Sequence, residues 1–409
     1  KRTWHIRRPA PDAGELARAA SLIRNAKNPV IIAGGGVHYA QACDTLRDFA
    51  EHHRIPVVET QAGKSALAWD HAMAFGPVGV SGSECANVLC RDADLVIAIG
   101  TRFQDFTTSS WALFQNPQRR ILTLNIQPYD AAKSGAEMLV CDARVGLEQL
   151  GAALGDWRGP APDADLRARW YAQVDLVTAA PDADSNALVT DMQVIGAVQR
   201  AARDNTVVMC AAGTMPAELE KLWKANRPGA YHMEYGYSCM GYEIPGAIGI
   251  KMAEPDREVI CFVGDGTYMM ANSELATAVM MGIDFTMILT NNRGYGCINR
   301  LQMATGGAEF NNLLDHTVHQ VPAAIDFVKH AASMGARAVG VRTVADLEGA
   351  LAARTGKGVE VIVVETDPYP VTEAGGSWWD VAVPEVSERA EVNAARAAYE
   401  AAKKERDDI

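Results

Sequence analysis

The chain has 409 residues, of which 48% are hydrophobic and 22% are charged. This composition is typical of globular proteins and excludes disordered, collagen-like and coiled-coil chains. The net charge of −12 argues against nucleic acids and anionic membrane surfaces as partners, and no apolar run reaches the ~18 residues expected of a membrane-spanning helix.

Helix-like and strand-like segments alternate in the first part of the chain. The predicted helices are residues 16–27, 44–54 and 84–91, and the predicted strands are 29–33, 55–58, 94–100, 121–126 and 138–141. Short apolar strands separated by amphipathic helices indicate a parallel sheet covered on both faces. We therefore expect a central α/β domain at residues 1–155.

A hydrophilic stretch rich in Pro and Asp, residues 156–187, is typical of a linker with room for one helix. The same alternation then resumes, which predicts a second α/β domain at 188–386 and a helical tail at 387–409. The fold class expected is thus two doubly wound, three-layer domains with parallel sheets. The predicted elements of the second domain are helices 191–202, 245–252, 273–281, 323–334 and 344–354, and strands 206–210, 258–263, 285–290 and 359–365.

The eight cysteines include no C-x-x-C pair, and several lie inside apolar runs, as Cys261 does. Buried thiols in a reducing compartment explain this pattern better than a disulfide framework. The sequence opens at Lys1 without a secretory signal pattern. We therefore expect a cytoplasmic protein.

Two predicted strands of the second domain end in polar residues. One ends in Gly264-Asp265-Gly266, and the next ends in Asn291-Asn292, with a helix between them. Parallel strands end at the same edge of a sheet, which is where open α/β folds bind ligands. Hard oxygen ligands without Cys or His suit Mg²⁺ shared with phosphate, and the helix after Gly266 would direct its N–H groups at an anion. The residues alone thus predict a Mg²⁺-bridged diphosphate, and simple strand-end turns are the alternative.

This pair of motifs resembles the fingerprint of thiamine diphosphate-dependent enzymes. The resemblance implies that the Asp265 and Asn292 side chains and the Gly294 carbonyl bind Mg²⁺. It also implies that these residues contact the cofactor, together with Gly264, Gly266, Thr267, Tyr295 and Gly296.

Two further segments match the same family. Residues 236–247 resemble the segment that holds the aminopyrimidine, where Met240 would force the cofactor into a V shape and the Ser238 carbonyl would accept from its 4′-amine. The V shape makes proton removal intramolecular. Residues Gly213, Thr214 and Met215 would bind the diphosphate. The alternatives are core packing for Met240 and a simple turn with a helix start for 213–215.

The resemblance covers nearly the whole chain as the central and pyrophosphate-binding domains of these enzymes. The family's N-terminal pyrimidine-binding domain, with the glutamate that activates the cofactor, is not recognised in this sequence. We therefore assign no catalytic residue in this chain, and we expect it to be incomplete and inactive alone. Sites shared between two subunits in the family imply a homo-oligomer.

Three longer strings, residues 231–243, 294–303 and 376–387, resemble the trihydroxycyclohexane-1,2-dione hydrolases of inositol catabolism. The resemblance implies a C–C bond hydrolase that opens a cyclic 1,2-diketone with water to give 5-deoxyglucuronate, using thiamine diphosphate and Mg²⁺. An acetolactate-synthase-like ligase and a non-catalytic subunit are the alternatives. Side chains that could contact a polyhydroxylated substrate are Glu243, Tyr295, Asn299 and Gln302.

Three other patterns have simpler explanations. Gly34-Gly35-Gly36 follows a strand as in dinucleotide-binding folds, but Tyr39 occupies the position of the third glycine, which favours a tight strand–helix turn. Residues 100–103 resemble a segment that touches FAD in acetohydroxyacid synthases, although ring opening needs no flavin. His316 and His319 have the spacing of a zinc pair but lack a third ligand, so surface histidines are expected.

Overall fold

The computed structural model describes residues 4–181, 187–234, 236–321, 323–373 and 376–407. Within this part of the chain there are two six-stranded sheets, and every pair of neighbouring strands is parallel. Helices flank both sheets, so the expected fold class is confirmed. No helix in the described ranges is both long enough and apolar enough to cross a bilayer.

The first sheet is built from six short strands. They are β1 (Pro29–Ala33), β2 (Val57–Glu59), β3 (Ala74–Pro77), β4 (Leu95–Ile99), β5 (Arg120–Asn125) and β6 (Glu137–Val140). Their order across the sheet is β3-β2-β1-β4-β5-β6. The helices of this half are α1 (Ala13–Asn25), α2 (Gly35–Tyr39), α3 (Cys43–His53), α4 (Glu84–Asp92), α5 (Asp105–Thr108), α6 (Pro128–Ala132) and α7 (Ala143–Leu154).

The expected linker contains one helix, α8 (Ala164–Val177), and its residues 182–186 lie outside the described residues. The Asp163 carboxylate caps this helix by accepting from the N–H groups of Asp165 and Leu166. Trp170 and Val174 are buried in the same apolar cluster as residues of both sheets. The linker is therefore packed against the domains that it joins.

The second sheet has six strands and the larger set of helices. Its strands are β7 (Thr206–Cys210), β8 (Tyr231–Met233), β9 (Glu258–Gly264), β10 (Phe285–Asn291), β11 (Arg337–Val341) and β12 (Val359–Glu365). Their order is β11-β12-β10-β9-β7-β8. The helices are α9 (Asp191–Ala201), α10 (Thr214–Leu222), α11 (Glu243–Ala253), α12 (Asp265–Ala271), α13 (Ser273–Met280), α14 (Gly296–Ala304), α15 (Phe327–Ser333), α16 (Val344–Ala352) and the terminal α17 (Ala390–Asp407).

The connections of the second sheet reverse direction between β7 and β9. From β7 the chain moves outward to β8 and then returns to β9 on the other side, so a crevice opens at the carboxyl ends of these strands. The register pairs Gly264 of β9 with Thr290 of β10. Asp265 and Asn292 follow those two residues by one and two positions. The topology therefore brings both side chains to one edge of the sheet.

Candidate functional site

A cavity of about 550 Å³ lies at this carboxyl edge. It is lined by every residue that the sequence assigned to cofactor or metal binding. These are Gly213, Thr214, Met215, Ser238, Met240, Gly264, Asp265, Gly266, Thr267, Asn292, Gly294, Tyr295 and Gly296. Segments far apart in the sequence thus converge on one cavity, because the strands that carry them are adjacent in a parallel sheet.

Asp265 begins α12 directly after β9, and its residue surface is only 6% exposed. Burial raises the pKa of this carboxyl to about 6, although backbone N–H groups of Gly266, Gly294 and Asn292 lie close enough to oppose the rise. Its Oδ1 is buried and has no hydrogen-bond partner among the described residues. A buried anionic oxygen without a partner is costly in free energy.

Asn292 directly follows the neighbouring strand, β10, and it also carries an unpaired side-chain oxygen. Its Oδ1 is buried without a partner in the described part of the chain. The backbone then turns sharply through Arg293 (φ 61°) and Gly294 (φ 148°). A Cβ on Gly294 would lie 2.3 Å from the Asn312 carbonyl oxygen, so only glycine fits this turn. The turn directs residues 292–294 back toward Asp265.

These two orphaned oxygens fit a hard divalent cation. Carboxylate and amide oxygens are ligands that Mg²⁺ accepts, usually together with water and phosphate oxygens. In the described residues no group of three or more His, Cys, Asp or Glu side chains is arranged to hold a metal. A site of one carboxylate, one amide and one backbone carbonyl is compatible with that finding, because two of its three protein ligands are neutral oxygens.

The start of α10 faces the same cavity. Its N-cap residue, Gly213, has φ 99°, no side chain to cap the helix, and open space where a Cβ would be. The first N–H groups of the helix are therefore free to bind an anion. The hydroxyl of Thr214 accepts a hydrogen bond from the Arg300 guanidinium, which also donates to the Pro368 carbonyl. This contact fixes the Thr214 side chain beside the helix start.

The segment from Gly236 to Gly241 forms another wall. Ser238 has φ 50°, a left-handed conformation that costs a non-glycine residue about 1–2 kcal/mol. The Glu234 carboxylate holds the segment by accepting from the N–H groups of Tyr237 (3.1 Å) and Cys239 (2.7 Å). Met240 is 36% exposed and lines the cavity, so it is not a core residue. Tyr235 lies outside the described residues.

Only one of the four candidate substrate contacts reaches the cavity. Tyr295 lines it, whereas Glu243, Asn299 and Gln302 do not. The amide Nδ2 of Asn299 donates to Glu309 (2.7 Å), and Gln302 accepts from Asn312. Glu243 is only 1% exposed, and its carboxylate is occupied by hydrogen bonds within the protein.

Several cavity residues were not anticipated from the sequence. Gln61, Ser81, Gln104 and Phe106 come from the first domain, and no motif marks them. Asp191 is 5% exposed, has an unpartnered Oδ1, and burial raises its pKa to about 7. The sequence shows only that it follows Thr190, the N-cap of α9. Contributions from the first domain depend on the tertiary packing, which sequence spacing does not report.

The glycine run after β1 packs against the β4 turn. A Cβ on Gly34 would lie 2.4 Å from the Gly100 carbonyl oxygen, and one on Gly36 would lie 2.6 Å from the Gly100 Cα. This close backbone approach accounts for the glycines as a tight strand–helix turn. A second cavity of about 560 Å³ lies beside this turn.

The His316 imidazole pairs with the Glu309 carboxylate at 2.5 Å.

Comparison with protein families gives two matches. Residues 16–150 match the thiamine pyrophosphate enzyme central domain, and residues 211–365 match the C-terminal TPP binding domain of the same enzymes. The first match spans the sheet of β1–β6, and the second contains β8–β12 and most of the residues that line the cavity.

Curated relatives extend these matches over almost the whole chain. A Geobacillus thermodenitrificans protein named 3D-(3,5/4)-trihydroxycyclohexane-1,2-dione hydrolase is 37% identical over 424 residues, which is 97% of this chain and 66% of the relative. Proteins of the same name from Clostridium perfringens and Bacillus thuringiensis are 37% and 38% identical, with the same coverage. The chain thus spans 66% of the length of these relatives.

Proposed function

Because the chain belongs to the thiamine pyrophosphate enzyme family, we propose that it forms the cofactor-holding part of a thiamine diphosphate- and Mg²⁺-dependent hydrolase. The bond cleaved is a C–C bond of trihydroxycyclohexane-1,2-dione, and the ring-opened product is 5-deoxyglucuronate of inositol degradation. The names of relatives that are 37–38% identical support this substrate.

The observation that carries the proposal is the pair of orphaned oxygens at the edge of the second sheet. Asp265 Oδ1 and Asn292 Oδ1 are both buried and both lack a partner among the described residues. A Mg²⁺ ion held by them and by the Gly294 carbonyl would satisfy both atoms at once. The free N–H groups at the start of α10 would then face the diphosphate.

The remaining walls would position the organic part of the cofactor. The Ser238 carbonyl would accept a hydrogen bond from the aminopyrimidine, and Met240 would support the bent shape from below. When bound, thiamine diphosphate supplies an electron sink that allows cleavage next to a ketone carbonyl. The chain's own contribution is to bind and orient the cofactor, and a fixed geometry would give proton removal within the cofactor a high effective molarity.

The site needs a glutamate that this cavity does not supply. None of the described residues lining the cavity is a glutamate, whereas the family resemblance implies an activating glutamate on a pyrimidine-binding domain. We therefore propose that such a domain completes the site.

The chemistry is expected in a reducing cytoplasm, because all eight cysteines are free and five of them are buried.

A homo-oligomer is part of the same proposal. The helices next to the cavity carry exposed apolar side chains, including Met269 (42%), Met270 (53%), Ile298 (53%) and Met303 (44%). Exposed apolar surface of this kind is typical of protein interfaces. Light scattering on the full chain tests the assembly, and a monomer at all concentrations would contradict it.

Calorimetry with thiamine diphosphate and Mg²⁺ tests the cofactor site. The chain is titrated alone and together with the pyrimidine-binding domain of a relative, and we expect weak binding alone and Mg²⁺-dependent binding in the complex. Asp265→Ala should abolish the Mg²⁺ dependence, since a methyl group cannot bind the ion. Mg²⁺-dependent binding that survives in this variant would refute the assignment.

Product analysis tests the reaction. The completed enzyme, incubated with the cyclic dione, should give a ring-opened acid. Turnover of pyruvate without turnover of the dione would instead indicate an acetolactate-synthase-like ligase. No turnover of either, with normal cofactor binding, would indicate a non-catalytic subunit.

A further inference from the structure

Glu243 lies directly behind the wall of the cavity and is almost fully buried, at 1% exposure. It is the first residue of α11, so the helix dipole favours its negative charge. No ion pair to Lys, Arg or His involves this carboxylate within the described ranges. Burial raises its pKa, and surrounding hydrogen-bond donors oppose the rise.

The donors come from three separate segments of the cavity wall. The N–H of Ala212 donates to Oε1 at 3.3 Å, and the N–H of Gly241 donates to Oε2 at 3.0 Å. The hydroxyl of Thr267 lies 3.2 Å from both oxygens. The same hydroxyl accepts from the N–H of Gly241 at 2.8 Å, so these contacts form one closed network.

Each of these segments carries residues assigned to a different part of the cofactor. Ala212 precedes the diphosphate-binding loop, Gly241 follows Met240, and Thr267 lies two residues after Asp265. Their relative positions decide whether the diphosphate, the metal and the pyrimidine ring can be bound together. A single carboxylate that joins all three segments is therefore placed to control their relative positions, which we call their register.

We propose that Glu243 is a positioning residue that holds the diphosphate loop, the Met240 segment and the start of α12 in the register required for binding thiamine diphosphate. This inference rests on the proposed function for its ligand, but the register itself can be measured on the free protein. It replaces the expectation that Glu243 contacts the substrate, because the carboxylate has no free surface from which to do so.

The test compares Glu243→Gln with Glu360→Gln in the full chain. Glu360 is a matched control, because it is also buried (8% exposed) and accepts from the N–H groups of Thr355 (2.9 Å) and Gly356 (3.3 Å), but it lies in β12 near the amino end of the strand. The isosteric Gln at position 243 turns an NH₂ group toward at least one of the three donors. The donor that faces this NH₂ group then loses its hydrogen bond to residue 243.

Hydrogen exchange read by mass spectrometry reports the register. Peptides covering 209–216 and 236–245 should exchange about tenfold faster in Glu243→Gln than in the wild type, by the loss of one charge-assisted hydrogen bond. Exchange in these peptides should not change in Glu360→Gln. Equal protection in the wild type and Glu243→Gln would overturn the inference, whatever the cofactor data show.

Cofactor binding is the second measurement, with Mg²⁺ and the pyrimidine-binding domain present. Glu243→Gln should raise the dissociation constant of thiamine diphosphate at least about tenfold, and Glu360→Gln should leave it unchanged. An unchanged constant in Glu243→Gln would overturn the positioning role. Absence of binding by the wild type would instead contradict the proposed function, and hydrogen exchange would still decide the register.

Thr267→Val keeps the inference testable should Glu243→Gln fail to fold. It removes one member of the network and leaves the carboxylate in place, so exchange in 236–245 should again rise. Combined with Glu243→Gln, its effect should be less than additive, because both substitutions break the same hydrogen bonds. Full additivity, or no change in Thr267→Val alone, would contradict the network.

Discussion

Asp265 and Asn292 each follow a strand directly and carry one buried side-chain oxygen without a hydrogen-bond partner among the described residues. Proteins rarely leave buried polar atoms unpaired, and exceptions occur where a ligand or ion completes the site. The two residues also differ in charge, so they respond differently to substitution. Of the two, only Asp265 combines an unpaired oxygen with the free-energy cost of burying a negative charge.

Asp265→Asn should separate stability from metal binding. Burial raises the pKa of the Asp265 carboxyl to about 6, above its unfolded value, so stability from this group is lost as pH rises through 6. At pH 8 without Mg²⁺, the neutral amide should therefore raise the free energy of unfolding by about 3 kcal/mol. Urea unfolding measures this gain.

With Mg²⁺, thiamine diphosphate and the pyrimidine-binding domain present, the order should reverse. The wild type gains stability by binding, whereas Asp265→Asn gains little. The same urea titration with both ligands provides the comparison. Equal ligand-induced stabilisation of the two proteins would show that the carboxylate does not hold the metal.

Met240→Ala should affect rate more than binding. The side chain is 36% exposed, so its loss should change the free energy of unfolding by less than about 1 kcal/mol. The bent cofactor would lose its support, and kcat of the completed enzyme should fall about tenfold or more through lost orientation. Steady-state kinetics with the cyclic dione measure this, and an unchanged kcat would assign Met240 to packing alone.

At the scale of single elements, most strands could be predicted from the sequence, including the short β2 and β6, whereas β3, β8 and β11 could not. Strands β1, β7 and β12 begin and end where the sequence placed them. No strand was predicted at β3, at β8, which is three residues long, or at β11, an edge strand whose residues are mostly exposed. Weak apolar patterns arise when a strand has little surface to bury.

The residues that line the cavity could likewise be predicted only in part from the sequence. Asp265, Asn292 and their glycines could be identified because fixed turns follow buried strands. The first-domain residues Ser81 and Phe106 could not, because they approach from another sheet.

The turn after β10 gives a prediction for an element. Gly294 has φ 148°, and an added Cβ would collide with the Asn312 carbonyl oxygen at 2.3 Å. Gly294→Ala should therefore shift the turn and destabilise the protein by about 2 kcal/mol or more. Thermal unfolding should show the loss. Gly249→Ala in α11, where nothing lies within 4 Å of a Cβ, is the control and should be neutral or stabilising.

At the scale of the whole molecule, polar contacts join the two domains next to the cavity. Gln61 of the first domain donates to the Pro216 carbonyl (3.2 Å) and accepts from the Tyr231 hydroxyl (2.6 Å). The Ser81 hydroxyl donates to the Glu220 carboxyl of α10. Because Gln61 and Ser81 also line the cavity, the domain interface and the cofactor site form one continuous region.

Glu220 makes the stability of this interface depend on pH. Burial raises its pKa to about 8, so the folded protein binds a proton here that the unfolded chain releases above about pH 4.3. The Glu220 contribution to stability is therefore lost as pH rises through 8. Glu220→Gln, which resembles the protonated form, should lose less stability than the wild type between pH 6 and pH 9.

Urea unfolding at both pH values measures the free energy of unfolding of the two proteins. Between pH 6 and pH 9, the wild type should lose on the order of 2 kcal/mol more than Glu220→Gln. Glu360→Gln provides the comparison. Although burial alone would raise the pKa of Glu360, hydrogen bonds from the backbone N–H groups of Thr355 and Gly356 and from the Arg337 side chain lower it. Identical pH dependence in the wild type and Glu220→Gln would show that Glu220 is ionised in the folded protein.

The apolar cluster that contains Trp170 also contains Ile32 and Val96 of the first sheet and Val208 and Ile260 of the second. Each half also has an apolar cluster of its own. Because the shared cluster joins the two halves, we expect them to unfold together, and a calorimetric scan should show a single heat-absorption peak. Cutting the chain near residue 180 and expressing the pieces separately should give two insoluble products, which would recover only when they are refolded in the same tube.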